Sequence, residues 1–285
     1  MNGTRCFLVS DLHGNEGRYR ALFDTVRAEV PDIVFMAGDL LPHAWSSMAS
    51  DNVFSAVSLA RDIEELRANL GSRSPRWILI LGNDDQRAAE PGFIEGQRAG
   101  WWEYLHLRAS TIGNHRIIGY ACVPPTPFLL KDWERYDVGR FVDPGCVSPE
   151  RGHRTAPFDA DEIRTRTIAG DLDELAPAGE HENLVLLAHS PPYQTTLDRA
   201  GLDGKYVDHA PVDVHVGSIA IRRFIEDRQP LLTLHGHIHE SARITGDWRD
   251  RIGRTFCFTA AHDGPELALV RFDLEDLGAA TRELI

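Results

Sequence analysis

No apolar run in this chain approaches the roughly 20 residues that a membrane span needs. The amino terminus has neither a basic stretch nor the long apolar core of a secretory leader. A cytoplasmic protein with no membrane partner is the expectation. The four cysteines, Cys6, Cys122, Cys146 and Cys257, show no paired spacing. They read as small hydrophobes in a reducing compartment rather than as disulfides or a zinc finger. Basic charge is in deficit, because 30 Lys and Arg stand against 43 Asp and Glu and leave a net charge of −13. Binding along a nucleic-acid backbone needs a broad basic surface, so extended nucleic acid is not expected as a partner, whereas a small phosphorylated substrate is compatible. The arginines within residues 151–166 and 243–254 read as solvated surface charge. There is no internal repeat, no low-complexity tract and no serine-hydrolase elbow.

What is present is a hydrophobic content of 42 %, enough for a core, and a pattern inside it. Five apolar runs each end within a few residues in a side chain able to bind a metal. Cys6 to Val9 precedes Asp11 and His13, and Ile33 to Ala37 precedes Asp39. Trp77 to Leu81 precedes Asn83, Leu184 to Ala188 precedes His189, and Leu231 to Leu234 precedes His237 and His239. Short continuous runs of this kind are buried strands, and α/β sheets place their sites at the carboxyl ends of strands. The seven side chains are therefore expected to converge. Asp11 and His13 are two apart, as are His237 and His239, which in extended backbone puts each pair on one face. Gly14, Gly38, Gly82 and Gly236 stand beside four of the groups, as sharp turns after strands require.

The order Asp11-Leu12-His13, Gly38-Asp39, Gly82-Asn83, His189 and Gly236-His237-Ile238-His239 resembles the calcineurin-like metallophosphoesterase superfamily. The surroundings of His189 and His239 are most similar to its small bacterial and archaeal phosphoesterase branch. The resemblance spans residues 11–239. It implies an αββα sandwich of two sheets, where the residues alone give α/β with mixed sheets. It also implies two divalent transition metals (Mn, Fe, Zn or Co). Asp11, His13, Asp39 and His239 would hold one, and Asp39, Asn83, His189 and His237 the other. Asp39 would bridge, since a carboxylate offers two oxygens. A bridging hydroxide would then attack phosphorus, with no side-chain nucleophile.

One position departs from the family. Many members carry His after the metal-binding Asn, as leaving-group acid or phosphate ligand; here it is Asp84, followed by Asp85. An ordinary carboxylate, ionised at neutral pH, is a poor general acid. Without a donor, turnover would depend steeply on the leaving group. His43, four residues after Asp39, is the candidate substitute. Two divalent cations against Asp11, Asp39 and a hydroxide leave about one positive charge, which a phosphodiester monoanion balances and a monoester dianion exceeds. A phosphodiesterase of small nucleotidic or cyclic-nucleotide diesters is the expected activity. A phosphomonoesterase or nucleotide pyrophosphatase on the same metals is the alternative, and a non-catalytic metal-binding scaffold ranks behind both.

The rest of the chain reads as a single domain. Apolar spacing predicts helices over 17–29 and 53–70, with others near 93–105, 159–175 and 217–227. Strands are expected at 110–113 and 115–122, and two tail strands, 255–260 and 266–274, are expected to pair. Residues 124–157, rich in Pro and aromatics without a period, read as a loop or insertion forming a wall over the site. Trp133, Tyr136 or Phe128 would offer it an apolar face, and Lys131 or Arg135 a charge. His106, His115 and His181 read as surface or capping residues. His235 is left between lining the site and supporting it, His215 and His262 are left open, and Glu240 is expected to orient a ligand imidazole.

Overall fold

A computed structural model describes residues 3–43, 54–179 and 181–285. Strands β1 (Arg5–Val9), β2 (Ile33–Ala37) and β3 (Arg76–Ile80) are the first three apolar runs, joined by helices α1 (Glu16–Glu29) and α2 (Ala56–Leu70). After α3 (Glu90–Arg98) come β4 (Glu103–Tyr104), β5 (Arg108–Ile112) and β6 (His115–Tyr120). Helices α4 (Ala160–Thr165) and α5 (Ile168–Leu175) then lead to β7 (Leu184–Ala188). A two-residue pair, β8 (Tyr206–Val207) and β9 (Ala210–Pro211), precedes α6 (Ile219–Arg228) and β10 (Leu232–His235). The chain closes with α7 (Ser241–Thr245), β11 (Arg249–Ile252), β12 (Thr255–Thr259), β13 (Ala268–Asp273) and β14 (Asp276–Leu284).

Two six-stranded sheets result, ordered β14-β13-β1-β2-β3-β4 and β11-β12-β10-β7-β6-β5. In the first, β1 to β4 run parallel and β13 and β14 close one edge antiparallel. In the second, β6, β7, β10 and β12 run parallel between antiparallel edges β5 and β11. β2 and β3 face β6 and β7 across the sandwich. Helix α1 buries Tyr19, Leu22, Phe23 and Val26, and the Phe23 ring lies 5.3 Å from Trp77 of β3. On the far side, α5 buries Ile168 and Leu172 beside α6, which buries Ile221, Phe224 and Ile225. This is the αββα sandwich expected, with both sheets covered, as their unbroken apolar strands require.

Several sequence expectations change. The tail strands do not pair: β12 lies in the second sheet beside β10, and β13 in the first between β1 and β14. Apolar patterning reports burial, not partner. The 159–175 helix is two helices, because Thr167 is extended, accepts from the Gly170 amide at 3.1 Å and bridges to Tyr136. The 93–105 helix begins at Glu90 and stops at Arg98, before left-handed Gly100.

The fourth change is the 124–157 segment. Trp133 and Lys131 are fully buried. Lys131 Nζ lies 2.5 Å from Glu134 Oε2, and Arg135 is committed to Asp171 and Glu162. Tyr136 is buried, and of the five side chains proposed for the wall only Phe128 stays exposed. The segment is packed onto the body of the protein, and the side chains assigned to a substrate wall are taken up by internal contacts.

His106, His115 and His181 are buried rather than superficial. His106 Nδ1 accepts from the Ala121 amide at 3.1 Å, and its ring stands edge-on to Trp133. Burial, reinforced by the Arg87, Arg135 and Arg108 charges, holds its pKa well below the usual value. The unfolded chain therefore gains a proton below about pH 6.5 that the folded chain refuses, so stability falls as pH drops through that value. The advantage of wild type over His106→Gln is expected to shrink by up to about 1.4 kcal/mol per pH unit below pH ~6.5. Urea unfolding of both proteins at graded pH measures it, and a constant difference would refute the assignment.

Candidate metal centre

Every expected ligand lies in a loop just beyond the carboxyl end of a parallel strand, and four of the seven are not in extended backbone. Asp11, His13, Asp39 and His237 all have positive φ, between 47° and 77°. Residues other than glycine rarely hold this conformation, and it persists where surroundings enforce it. Here the enforcement is a zipper between loops. The Asp11 amide donates to Gly38 O at 3.0 Å, the His13 amide to Asp39 O at 2.8 Å and the Gly14 amide to Leu40 O at 2.9 Å. Arg18 donates to the carbonyls of Asp11 and Gly264, pinning the first loop from outside.

The side chains converge. Ligand atoms of Asp11, His13, Asp39 and His239 all lie within 4.8 Å of one another. His239 Nε2 is 3.2 Å from both Asp11 Oδ1 and His13 Nε2. On the other side of Asp39, His189 Nε2 lies 3.2 Å from Asp39 Oδ2 and 3.0 Å from Asn83 Oδ1. The His237 ring stands 5.1 Å from that of His189, and its amide donates to Asp11 Oδ1 at 3.1 Å. Asp39 thus sits between two groups of donors. Both pairs spaced by two residues do contribute to one cluster, through left-handed turns rather than through one face of a strand.

The donor set fits divalent metals. Asp11 is 0 % and Asp39 2 % exposed, and two carboxylates buried so close need positive charge between them. In the protein alone, imidazoles supply it. Burial opposes ionisation of Asp11, but His239 outweighs it and draws the carboxyl down to about 2. Burial likewise opposes Asp39, yet His189 and His13 hold it far below the carboxylate range. His189 rises to about 10 because Asp39 overcomes its burial, whereas burial and the His189 charge push His237 down to about 3. Glycines form the cradle. A Cβ on Gly82 would stand 2.3 Å from Asp39 Oδ1 and 2.6 Å from His189 Nε2, and one on Gly236 would stand 2.8 Å from Asp11 Oδ2. Mixed carboxylate, amide and imidazole donors suit Mn, Fe, Zn or Co.

Asp84 and His43 meet at the edge of the cluster. His43 Nδ1 is 3.0 Å from Asp84 Oδ2, and the His43 ring stacks on His13 at 4.2 Å. The hydrogen bond to Asp84 raises the His43 pKa against partial burial. The Asp84 amide donates to Asp39 Oδ1 at 2.9 Å and its Oδ1 accepts from Asn83 Nδ2 at 3.0 Å. A cavity of about 490 Å³ opens from His13 and Pro42 between α1 and α2.

Other residues resolve differently. His235 is fully buried between Ala188 O and Thr233 Oγ1, and burial lowers it to about 4, so it supports the strands. Glu240 accepts from the Gly201 amide and, among the described residues, makes no hydrogen bond to a ligand imidazole. His215 pairs with Asp198 and His262 with Glu266. Asp85 was missed: it is fully buried, and its carboxylate takes the amides of Leu40, Leu41 and Gly82. A second acid directly behind a buried strand end was the available signal. Burial, joined by the nearby Asp39 charge, pushes it up to about 7.

The model of the calcineurin-like phosphoesterase family matches residues 4–241. The chain belongs to that family. Its members are phosphoester hydrolases and typically bind two metals, in keeping with the acid and histidine cluster. A solved structure of TT1561 from Thermus thermophilus superposes on this chain with a TM-score of 0.58 at 12 % identity over 99 % of each chain. Another solved structure reaches 0.61 at 13 % identity, also over 99 % of each chain. At such identities the likeness is one of fold. The uncharacterized protein MJ1162 of Methanocaldococcus jannaschii is 41 % identical over 76 residues, which span 26 % of this chain and 29 % of that one. No helix among the described residues is long and apolar enough to cross a membrane.

Proposed function

We propose that the protein is a dinuclear-metal phosphodiesterase acting on small nucleotidic or cyclic-nucleotide diesters. The observation that carries this reading is the convergence of seven competent side chains, six of them gathered about Asp39. Asp11, His13, Asp39 and His239 would hold one cation, and Asp39, Asn83, His189 and His237 the second, with Asp39 shared. Cations bound there lower the pKa of water and offset charge on phosphoryl oxygens. In the overall reaction, water oxygen forms a new bond to phosphorus, one ester P–O bond breaks and a proton passes to the departing alkoxide.

The chain's own contribution to that last transfer is His43. Its Nδ1 faces Asp84 at 3.0 Å, leaving Nε2 on a half-exposed ring to serve the leaving oxygen. The pair stands in for the single histidine of other family members. Asp84 is thereby partnered and does not stand as an unpaired negative charge beside the cluster. The preference for diesters then rests on the small positive surplus of the metal centre, which one phosphoryl charge satisfies. Four free cysteines, three of them buried, suit the reducing cytoplasm.

The deciding measurement is hydrolysis of bis-p-nitrophenyl phosphate against p-nitrophenyl phosphate, with Mn, Fe, Zn and Co supplied singly to metal-free protein. At least a tenfold preference for the diester in kcat/KM, about 1.4 kcal/mol of transition-state discrimination, is expected with the best metal. A reversed preference would establish the phosphomonoesterase alternative. No turnover with any metal on either ester would leave the scaffold.

A further inference from the structure

We propose that Asp85 is a positioning residue, the clamp that fixes the separation of the Asp39 and Asn83 loops; this rests on the metal-centre reading above. Its Oδ1 accepts from the Leu41 amide at 2.7 Å, and its Oδ2 from the Leu40 amide at 3.1 Å and the Gly82 amide at 2.9 Å. Leu40 and Leu41 directly follow Asp39, and Gly82 directly precedes Asn83. One rigid side chain therefore ties together the backbones on either side of the shared carboxylate. A reciprocal bond, from the Asp84 amide to Asp39 Oδ1, closes the ring.

The geometry calls for two acceptor oxygens. Three amide donors converge on them, and both oxygens of a carboxyl group can accept, whereas a side-chain amide has only one. An amide in its place would turn an NH₂ against at least one of the three N–H groups. Asp85 is fully buried and forms no ion pair with Lys, Arg or His among the described residues. Burying a carboxyl group without partners is costly, and the three amides it satisfies are what offset that cost here.

The clamp is braced from behind. Trp133, fully buried, donates through Nε1 to Asp85 O at 2.7 Å. The Arg87 guanidinium lies 4.3 Å over the Trp133 ring, and the Arg87 amide donates to Asp132 Oδ2 at 2.8 Å. Residues 124–157, which the sequence suggests as a wall over the cleft, thus reach the metal centre as a brace beneath it.

The test is Co²⁺ titration of metal-free wild type, Asp85→Asn and Trp133→Phe, followed by the visible absorption bands of bound Co²⁺, with thermal unfolding of each metal-free protein alongside. Partners that orient metal ligands typically govern affinity by 10–100-fold. Asp85→Asn is expected to weaken Co²⁺ binding by roughly that factor and to shift the bands. Trp133→Phe, which keeps the carboxylate and removes only the brace, is expected to weaken it by a few-fold. If Asp85→Asn does not fold, Trp133→Phe decides. Lowered metal-free stability with Co²⁺ affinity and bands unchanged would mark Asp85 as a purely structural residue and overturn the proposal. Failure of wild type itself to take up Co²⁺ would instead overturn the metal-centre reading.

Discussion

Asp39→Ala is expected to lose nearly all phosphoester hydrolysis and much of the bound metal, while wild type loaded with a transition metal carries about two ions per chain. Among the seven ligands only Asp39 stands between both donor groups, 4.0 Å from His13 Nε2 and 3.2 Å from His189 Nε2. If Asp39 bridges as proposed, removing it would withdraw an oxygen from each cation at once. Metal ions contribute several kcal/mol to phosphoryl transfer, so losing their placement costs on the order of 10³-fold or more in kcat/KM. Because Asp39 holds a left-handed φ of 54°, alanine adds backbone strain. Asp39→Asn, which tolerates that conformation better, separates strain from ligand loss: it is expected to fold like wild type yet remain severely impaired. Elemental analysis and ester hydrolysis on both variants check the result. A fully active Asp39→Ala protein would end the dinuclear reading.

The ligand positions were legible because two physical signals coincide at them. A continuous apolar run gives a buried parallel strand, and a polar or acidic residue just past its end has nowhere to point except the shared rim of the sheets. The same logic, carried past Asn83, would have found Asp85, which the sequence reading named only as the residue after Asp84. What the sequence withheld was partnership. The alternation of residues 266–274 announces a strand but is silent about whether β1 or β12 lies beside it, since the inward face is apolar in both arrangements. Nor does the composition of 124–157 distinguish a loop standing over a cleft from one packed against the body. Trp133 and Lys131 are buried there only because Asp85 O and Glu134 happen to receive their polar ends. Asp11 with His13 and His237 with His239 were expected to share a face through extended backbone, whereas Asp11, His13 and His237 hold left-handed backbone, so turns and not pleating aim these side chains.

Leaving-group chemistry separates the residues at the edge of the site. From sequence, the lack of histidine at position 84 pointed to a steep dependence on the alcohol expelled. The structure places an imidazole beside that position from the other loop, so wild type is now expected to hydrolyse alkyl and aryl diesters with a shallow dependence on leaving-group pKa. His43→Ala removes the donor. Positioned general acids contribute roughly 10²–10⁴-fold, and nearly all of that is expected to vanish for alkyl esters, whose alkoxides need a proton. Aryl esters, which leave as stable anions, are expected to lose little. Asp84→Asn keeps a hydrogen-bonding partner for Nδ1 but not its charge, so an intermediate slope is expected. The slope is the informative readout because a purely structural role would lower all esters together. It is obtained from kcat/KM over a series of phosphodiesters of graded leaving-group pKa on all three proteins at matched metal content. Parallel lines for wild type and His43→Ala would remove His43 from the reaction and assign the stacked pair to holding the His13 ring in place.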